Sequence, residues 1–164
     1  MNKSWIANGF TAANALFGGL SIMMSISGEY HVAAICILIA MAADAFDGRV
    51  ARALGTAGPM GVELDSLSDD ISFGVAAGAL MYSYQLRELG ALGFIPCALL
   101  GAFCAFRLAR FNVKVTSVHG YFEGLPCPTV GVIIACYVLS GVKIWNWLAM
   151  VCVLALAVLM VSEV

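Results

Sequence analysis

Residues Trp5–Ser27 contain no charged side chain over 23 consecutive positions. A run of about 20 apolar residues is what an α-helix needs to cross the hydrocarbon layer of a bilayer. Five further uncharged runs follow: Val32–Ala43, Ile71–Leu86, Leu89–Phe106, Leu125–Val142 and Ile144–Ser162. The first, fourth and sixth reach or approach spanning length unaided. The second and third need the neighbouring aspartates and arginines to count as helix too. The pattern predicts an all-α integral membrane protein with six transmembrane helices, forming one domain over residues 1–164. Composition agrees: 11% of the residues are charged and 62% are hydrophobic, against about 25% charged in ordinary soluble domains. A net charge of −2 argues for no nucleic-acid partner. The six cysteines form no CxxC pair, and they are expected to pack as small apolar side chains.

Basic residues set the expected orientation, because cytoplasmic loops collect Lys and Arg. With the N-terminus inside, Lys3, Arg49, Arg52, Arg107, Arg110 and Lys114 fall on the cytoplasmic side, and Arg87 and Lys143 fall outside. Both termini then face the cytoplasm. Trp5, Trp145 and Trp147 flank spans and read as interfacial anchors.

The unusual polar residues gather on that same side. Asp44, Asp47, Asp65 and Asp69 each sit beside or inside an apolar run, where ionisable groups are costly and point to function. At 3.6 residues per turn, Asp44 and Asp47 share one helix face, and Asp65 and Asp69 share another. Gly48 and Ala51 lie on the first face and Arg52 at its edge, while Arg49 points away. Ser72 and Ala76 continue the second face, and Asp70 points elsewhere. The Gly55–Gly61 turn is short enough to make the two helices an antiparallel pair whose carboxylate faces meet. Carboxylates so placed repel unless cations neutralise them, and hard divalent ions take oxygen ligands. Two such ions can clamp a pyrophosphate and polarise a hydroxyl, with Arg52 on a phosphate oxygen. The plainer alternative pairs these aspartates with Arg49, Arg52 and Lys114 at helix ends. It accounts poorly for four carboxylates on two facing stripes.

Arg107, Arg110, Asn112 and Lys114 form a second polar group at the cytoplasmic end of the fourth run. Anchoring to anionic lipid head groups explains them, as does recognition of an acidic acceptor, since arginine binds carboxylate bidentately. Asn8, Thr11 and Asn14 share one face of the first helix and are suited to hydrogen bonding between helices. Gly18 and Gly19 are expected to allow close helix packing. His119 lies in the loop after the fourth run as a marginal site candidate.

The arrangement Asp44-x2-Asp47-Gly48-x2-Ala51-Arg52-x8-Gly61-x3-Asp65-x3-Asp69 resembles the signature of the CDP-alcohol phosphatidyltransferase family, with eight residues at fixed spacing. Asp65-Ser66-Leu67-Ser68-Asp69 followed by Ser72-Phe73-Gly74-Val75, then Arg107-Leu108-Ala109-Arg110-Phe111-Asn112 and Phe122-Glu123-Gly124-Leu125-Pro126-Cys127-Pro128, are similar to its phosphatidylserine synthase branch. The resemblance implies a six-helix homodimer in the cell membrane with a cytoplasm-facing site. It implies two divalent ions, Mg²⁺ or Mn²⁺ with Ca²⁺ as a non-productive occupant, held by Asp44, Asp47, Asp65 and Asp69. Asp69 would also be the base for the acceptor hydroxyl. Asn8, Thr11, Asn14, Gly48, Ala51, Arg52 and Gly61 would bind the CDP-lipid, and Arg107, Arg110 and Asn112 the acceptor. The implied reaction transfers the phosphatidyl group of CDP-diacylglycerol to the hydroxyl of L-serine, releasing CMP. Alternatives are another acceptor (glycerol 3-phosphate or an inositol phosphate), an archaeal ether CDP-lipid, or a divalent-cation transporter. A transport path needs polar residues through the full bilayer depth, whereas these sit at one end.

Overall fold

A computed structural model describes residues 4–55, 58–114 and 124–162, without the side chains of residues 4–7, 51, 52, 54 and 114. Among the described residues the chain is all-helical. Helices α1 (Ser4–Ile26) and α2 (Tyr30–Leu54) precede a continuous rod made of α3 (Pro59–Asp69), a π-helical segment (Asp70–Val75) and α4 (Ala76–Tyr84). After a 3₁₀ turn at Leu86–Leu89 come α5 (Ala91–Lys114), α6 (Cys127–Leu139) and α7 (Asn146–Val161). In hydrocarbon every backbone N–H and C=O must be satisfied within its own segment, which leaves such apolar runs only the helix.

Among the described residues, three helices are long and apolar enough to cross a membrane: α1, α2 and α5. The second run exceeds its expected length because the helix continues through Asp44 and Asp47 to Leu54. The last run falls short, since residues 141–145 are not helical and α7 has 16 residues. At 1.5 Å per residue, the 13 residues of α6 reach roughly two thirds of a 30 Å hydrocarbon core.

Polarity runs opposite to that of a water-soluble bundle. On α1 the buried positions are Thr11, Asn14, Gly18, Ser21 and Ser25, while Leu16, Met23 and Ile26 are exposed. A membrane protein gains nothing by hiding leucine from lipid, but it gains from bringing small and hydrogen-bonding residues together.

The third rod is the hub, with Phe73, Ala76, Ala77 and Leu80 fully buried. It packs against α1, α5 and α6, while α6 also packs on α2 and α7 on α5. Close approach explains its small residues. A Cβ on Gly18 would run into Ser72, and one on Gly78 into the Cys97 carbonyl. Gly19, in contrast, faces open space.

The end of the bundle away from the aspartates is closed by a hydrogen-bond network. Gln85 is 4% exposed. Its Nε2 donates to the Ile144 carbonyl at 2.6 Å and to Asn146 Oδ1 at 3.1 Å, and its Oε1 accepts from the Tyr137 hydroxyl. Asn146 Nδ2 in turn donates to Glu88 Oε2 at 2.7 Å. Gln85→Leu removes the shared partner and is expected to lower stability by about 1–3 kcal/mol. A drop in thermal unfolding temperature in detergent checks it; an unchanged transition would show that water replaces the network.

Candidate active site

Helix α2 carries Asp44 and Asp47, and the third rod carries Asp65 and Asp69. Among the described residues, α2 packs against the π segment and α4 but scarcely touches α3. The backbones therefore stand apart where the carboxylates project, and the side chains fill the gap. One ligand oxygen from each of Asp44, Asp47 and Asp65 lies within 4.8 Å of the other two. Asp44 is in hydrogen-bonding reach of both Asp65 and Asp69, and Asp47 is in reach of Thr11 and the Gly48 N–H. The expected antiparallel pair is thus realised at the side chains rather than by backbone packing.

This donor set fits a hard divalent cation. All donors are carboxylate oxygens. Among the described residues, Asp47 Oδ2 and Asp65 Oδ1 are buried with no hydrogen-bond partner, a costly condition that a bound cation relieves.

Asp69 stands slightly apart from the group of three. It is 8% exposed, and its Oδ1 accepts a hydrogen bond from Asn14 Nδ2 at 3.0 Å. Asn14 is fully buried on α1, and its carbonyl accepts a bond from Ser72 Oγ at 2.9 Å. Two bonds therefore pin α1 to the third rod at the point where the α-helix becomes a π-helix. Single π turns inside α-helices occur frequently at functional sites, and no sequence signal announced this one. Asn14, which the resemblance places with the CDP-lipid, reaches Asp69 through its Nδ2, while its Oδ1 is buried with no hydrogen-bond partner among the described residues.

The other sequence-derived candidates are placed as follows. Asn8 is half-buried on the same side of α1 as Thr11 and Asn14. Gly48 is exposed on α2, and Gly61 borders open space in the first turn of α3. Ala51 and Arg52 are on the α2 backbone, with side chains outside the described set. Arg107 Nη1 lies 3.7 Å from Cys127 Sγ. Arg107 and Arg110 line a small space against Met160 and Val161 of α7. Asn112 Nδ2 donates to Ser66 Oγ at 3.0 Å, tying α5 to α3. His119, Phe122 and Glu123 lie outside the described residues. The structure thus brings the four aspartates together with Thr11 and Asn14, and it sets the Arg107 group one helix away. Sequence reasoning missed the contact of Asp70 with Cys104, because six scattered cysteines in apolar runs carry no pattern.

The sequence model of the CDP-alcohol phosphatidyltransferase family matches residues 4–161. A CDP-diacylglycerol--serine O-phosphatidyltransferase of Helicobacter pylori (strain ATCC 700392 / 26695) is 37% identical over 137 residues, covering 83% of this chain and 58% of that protein. The Bacillus subtilis (strain 168) protein of the same name is 35% identical over 155 residues, covering 94% of this chain and 85% of the relative. An archaetidylserine synthase of Methanothermobacter thermautotrophicus is 38% identical over 153 residues, covering 92% of this chain and 64% of the relative. The chain thus spans somewhat under two thirds of the Helicobacter and Methanothermobacter proteins and most of the Bacillus one. With the family's match running through every described helix and over all four clustered aspartates, the chain belongs to the CDP-alcohol phosphatidyltransferase family.

Proposed function

We propose that this chain transfers the phosphatidyl group of CDP-diacylglycerol to the hydroxyl of L-serine, forming phosphatidylserine and CMP. The observation that carries the reading is the meeting of Asp44, Asp47 and Asp65 within 4.8 Å, beside a buried Asp69 held by Asn14. Relatives named for this reaction support serine as acceptor. The chain acts as one membrane domain of six spans, a homodimer, with both termini and the site facing the cytoplasm. The third rod, α6 and α7 supply the three spans beyond α1, α2 and α5.

Asp44, Asp47, Asp65 and Asp69 would hold two divalent cations, Mg²⁺ or Mn²⁺, with Ca²⁺ as a non-productive occupant. Bound there, such ions supply neutralisation of the pyrophosphate and of the charge that develops on departing CMP. The remaining work falls to the chain's own groups. Gly48, Ala51 and Gly61 leave room for the CDP portion, Asn8 and Thr11 border it, and Arg52 binds a phosphate oxygen. Asp69 takes the proton of the serine hydroxyl. The hydroxyl oxygen then bonds to the lipid-side phosphorus, and the bond from that phosphorus to the CMP oxygen breaks with its electron pair leaving on CMP. Asn14 fixes the rotamer of Asp69, so Asn14→Ala is expected to slow turnover about tenfold, the weight of one charge-assisted hydrogen bond. Unchanged kcat in that variant would make Asn14 a packing residue only. Arg107, Arg110 and Asn112 receive the acceptor.

The archaetidylserine synthase relative favours one second reading, an ether CDP-lipid as donor. The deciding experiment incubates purified protein with CDP-diacylglycerol or its ether counterpart and a panel of alcohols, and identifies the lipid product by mass spectrometry. Phosphatidylserine with serine-dependent CMP release is expected. A product only with glycerol 3-phosphate or an inositol phosphate would overturn serine as acceptor.

A further inference from the structure

Helix α2 and the third rod supply the carboxylates, yet α2 scarcely touches α3. Neither helix alone fixes the gap that the side chains fill. Helix α1 spans it, because it packs along α2 and also against α3 and the π segment. Thr11 and Asn14 share one face of α1 and are buried, at 4% and 0% exposure. On the rod side, Asn14 Nδ2 holds Asp69 Oδ1 at 3.0 Å. On the α2 side, the Thr11 hydroxyl is in hydrogen-bonding reach of the Asp47 carboxylate. The preceding residue of each helix shows the same register independently, since the rings of Phe10 and Phe46 lie 6.3 Å apart.

Asp47 is 5% exposed, and its Oδ2 is buried with no hydrogen-bond partner among the described residues. The Thr11 hydroxyl and the Gly48 N–H therefore fall to Oδ1. One oxygen held by donors and the other left bare, beside Asp44 and Asp65, is the division of labour that a metal-binding carboxylate needs. Outer partners of this kind fix the orientation of a ligand and tune its affinity. We propose that Thr11 is a positioning residue of the metal centre, its hydroxyl donating to Asp47 and fixing the carboxylate so that Oδ2 remains available to a divalent cation. The proposal rests on the reading of the aspartates as a cation site. It gives Thr11 a different task from the CDP-lipid contact that the family resemblance implies. A hydroxyl has one proton to donate, and donated to Asp47 it is not available to the nucleotide. With Asn14 on Asp69 and Thr11 on Asp47, α1 holds a carboxylate from each of the two ligand-bearing elements. It thereby sets their separation, although it carries no carboxylate of its own.

The test titrates the purified full chain with Mn²⁺, followed by its paramagnetic signal, in the absence of any CDP-lipid. Thr11→Val keeps the shape of the side chain and removes the hydroxyl. It is expected to weaken Mn²⁺ binding by about 10–100-fold, the cost of losing an outer partner of a metal ligand. Thr11→Ala, which also lacks the hydroxyl, should fall in the same range, and Thr11→Ser should bind Mn²⁺ close to wild type. CMP release by Thr11→Val should recover as Mn²⁺ is raised, which a purely structural defect would not show. The proposal is overturned if Thr11→Val binds Mn²⁺ as the wild-type protein does. It is also overturned if Thr11→Ser loses as much affinity as Thr11→Val, since packing rather than the hydroxyl would then be at stake. Unchanged Mn²⁺ affinity with a raised KM for CDP-diacylglycerol would return Thr11 to the donor. If Thr11→Val does not fold, the comparison of Thr11→Ala with Thr11→Ser decides in the same way. Absence of Mn²⁺ binding by the wild-type protein would overturn the cation site itself and the role of Thr11 with it. That failure is told apart from one at Thr11 because it appears before any substitution.

Discussion

Asparagine in place of Asp44, Asp47 or Asp65 is expected to abolish turnover and to weaken divalent-cation binding in the same variant. The substitution keeps the volume and one carbonyl oxygen but removes the charge that makes the three side chains a ligand set. Their oxygens meet within 4.8 Å, and Asp47 Oδ2 and Asp65 Oδ1 have no hydrogen-bond partner among the described residues. Loss of an outer-shell partner of a metal ligand typically costs about 10–100-fold, so removing a ligand itself should exceed that range, on the order of 10³-fold or more. Manganese binding followed by its paramagnetic signal, alongside CMP release, checks both halves of the expectation. Because three like charges repel when no cation is bound, each asparagine variant should also be at least as thermally stable as the parent in metal-free buffer. A variant with near-normal CMP release would remove that residue from the site. Lost activity with intact metal binding would shift it from ligand to substrate contact.

The parts of this site that were legible in the sequence are those whose cost betrays them. Carboxylates at Asp44, Asp47, Asp65 and Asp69 cannot sit in apolar helices without a reason, and helical spacing alone puts each pair on one face. The long apolar helices were readable for the same cause, since lipid allows the backbone few alternatives. What escaped was whatever depends on three-dimensional packing. The π segment at Asp70–Val75 shifts the register after Asp69, and nothing in its composition differs from an ordinary helical turn. Its consequence is that Asp70 faces α5 while Ser72 still reaches α1. The bond from Asn14 to Asp69 spans 55 positions. Spacing placed Asn14 on a polar face without naming what that face would meet. The extents of α2 and α7 differ from the uncharged runs because a helix ends where its capping and packing end, which need not be where charge begins.

Asp69→Asn should separate binding from chemistry. Asp69 is set apart from the other three carboxylates by position and by partner. It lies one helical turn beyond Asp65, it is 8% exposed, and Asn14 Nδ2 holds its Oδ1 at 3.0 Å. An asparagine at 69 can still accept that bond through its carbonyl oxygen, so α1 and the third rod stay joined and the fold should not suffer. What it cannot do is take a proton from the incoming hydroxyl. General-base assistance contributes about 10²–10⁴-fold in rate, and the expected result is a loss of turnover of that size. CDP-lipid should still bind, together with a cation held by Asp44, Asp47 and Asp65, whose ligand oxygens lie within 4.8 Å of one another. Donor binding and CMP release should be measured on the same preparation with metal present, because only their divergence identifies a base. If Asp69→Asn loses the donor as completely as Asp44→Asn does, Asp69 is chiefly a metal ligand. The proton must then leave by another group, with Asp70, its neighbour on the far side of the π turn, the first to examine. If it retains full activity, the hydroxyl does not approach between α1 and the third rod, and the acceptor enters from the α5 side alone.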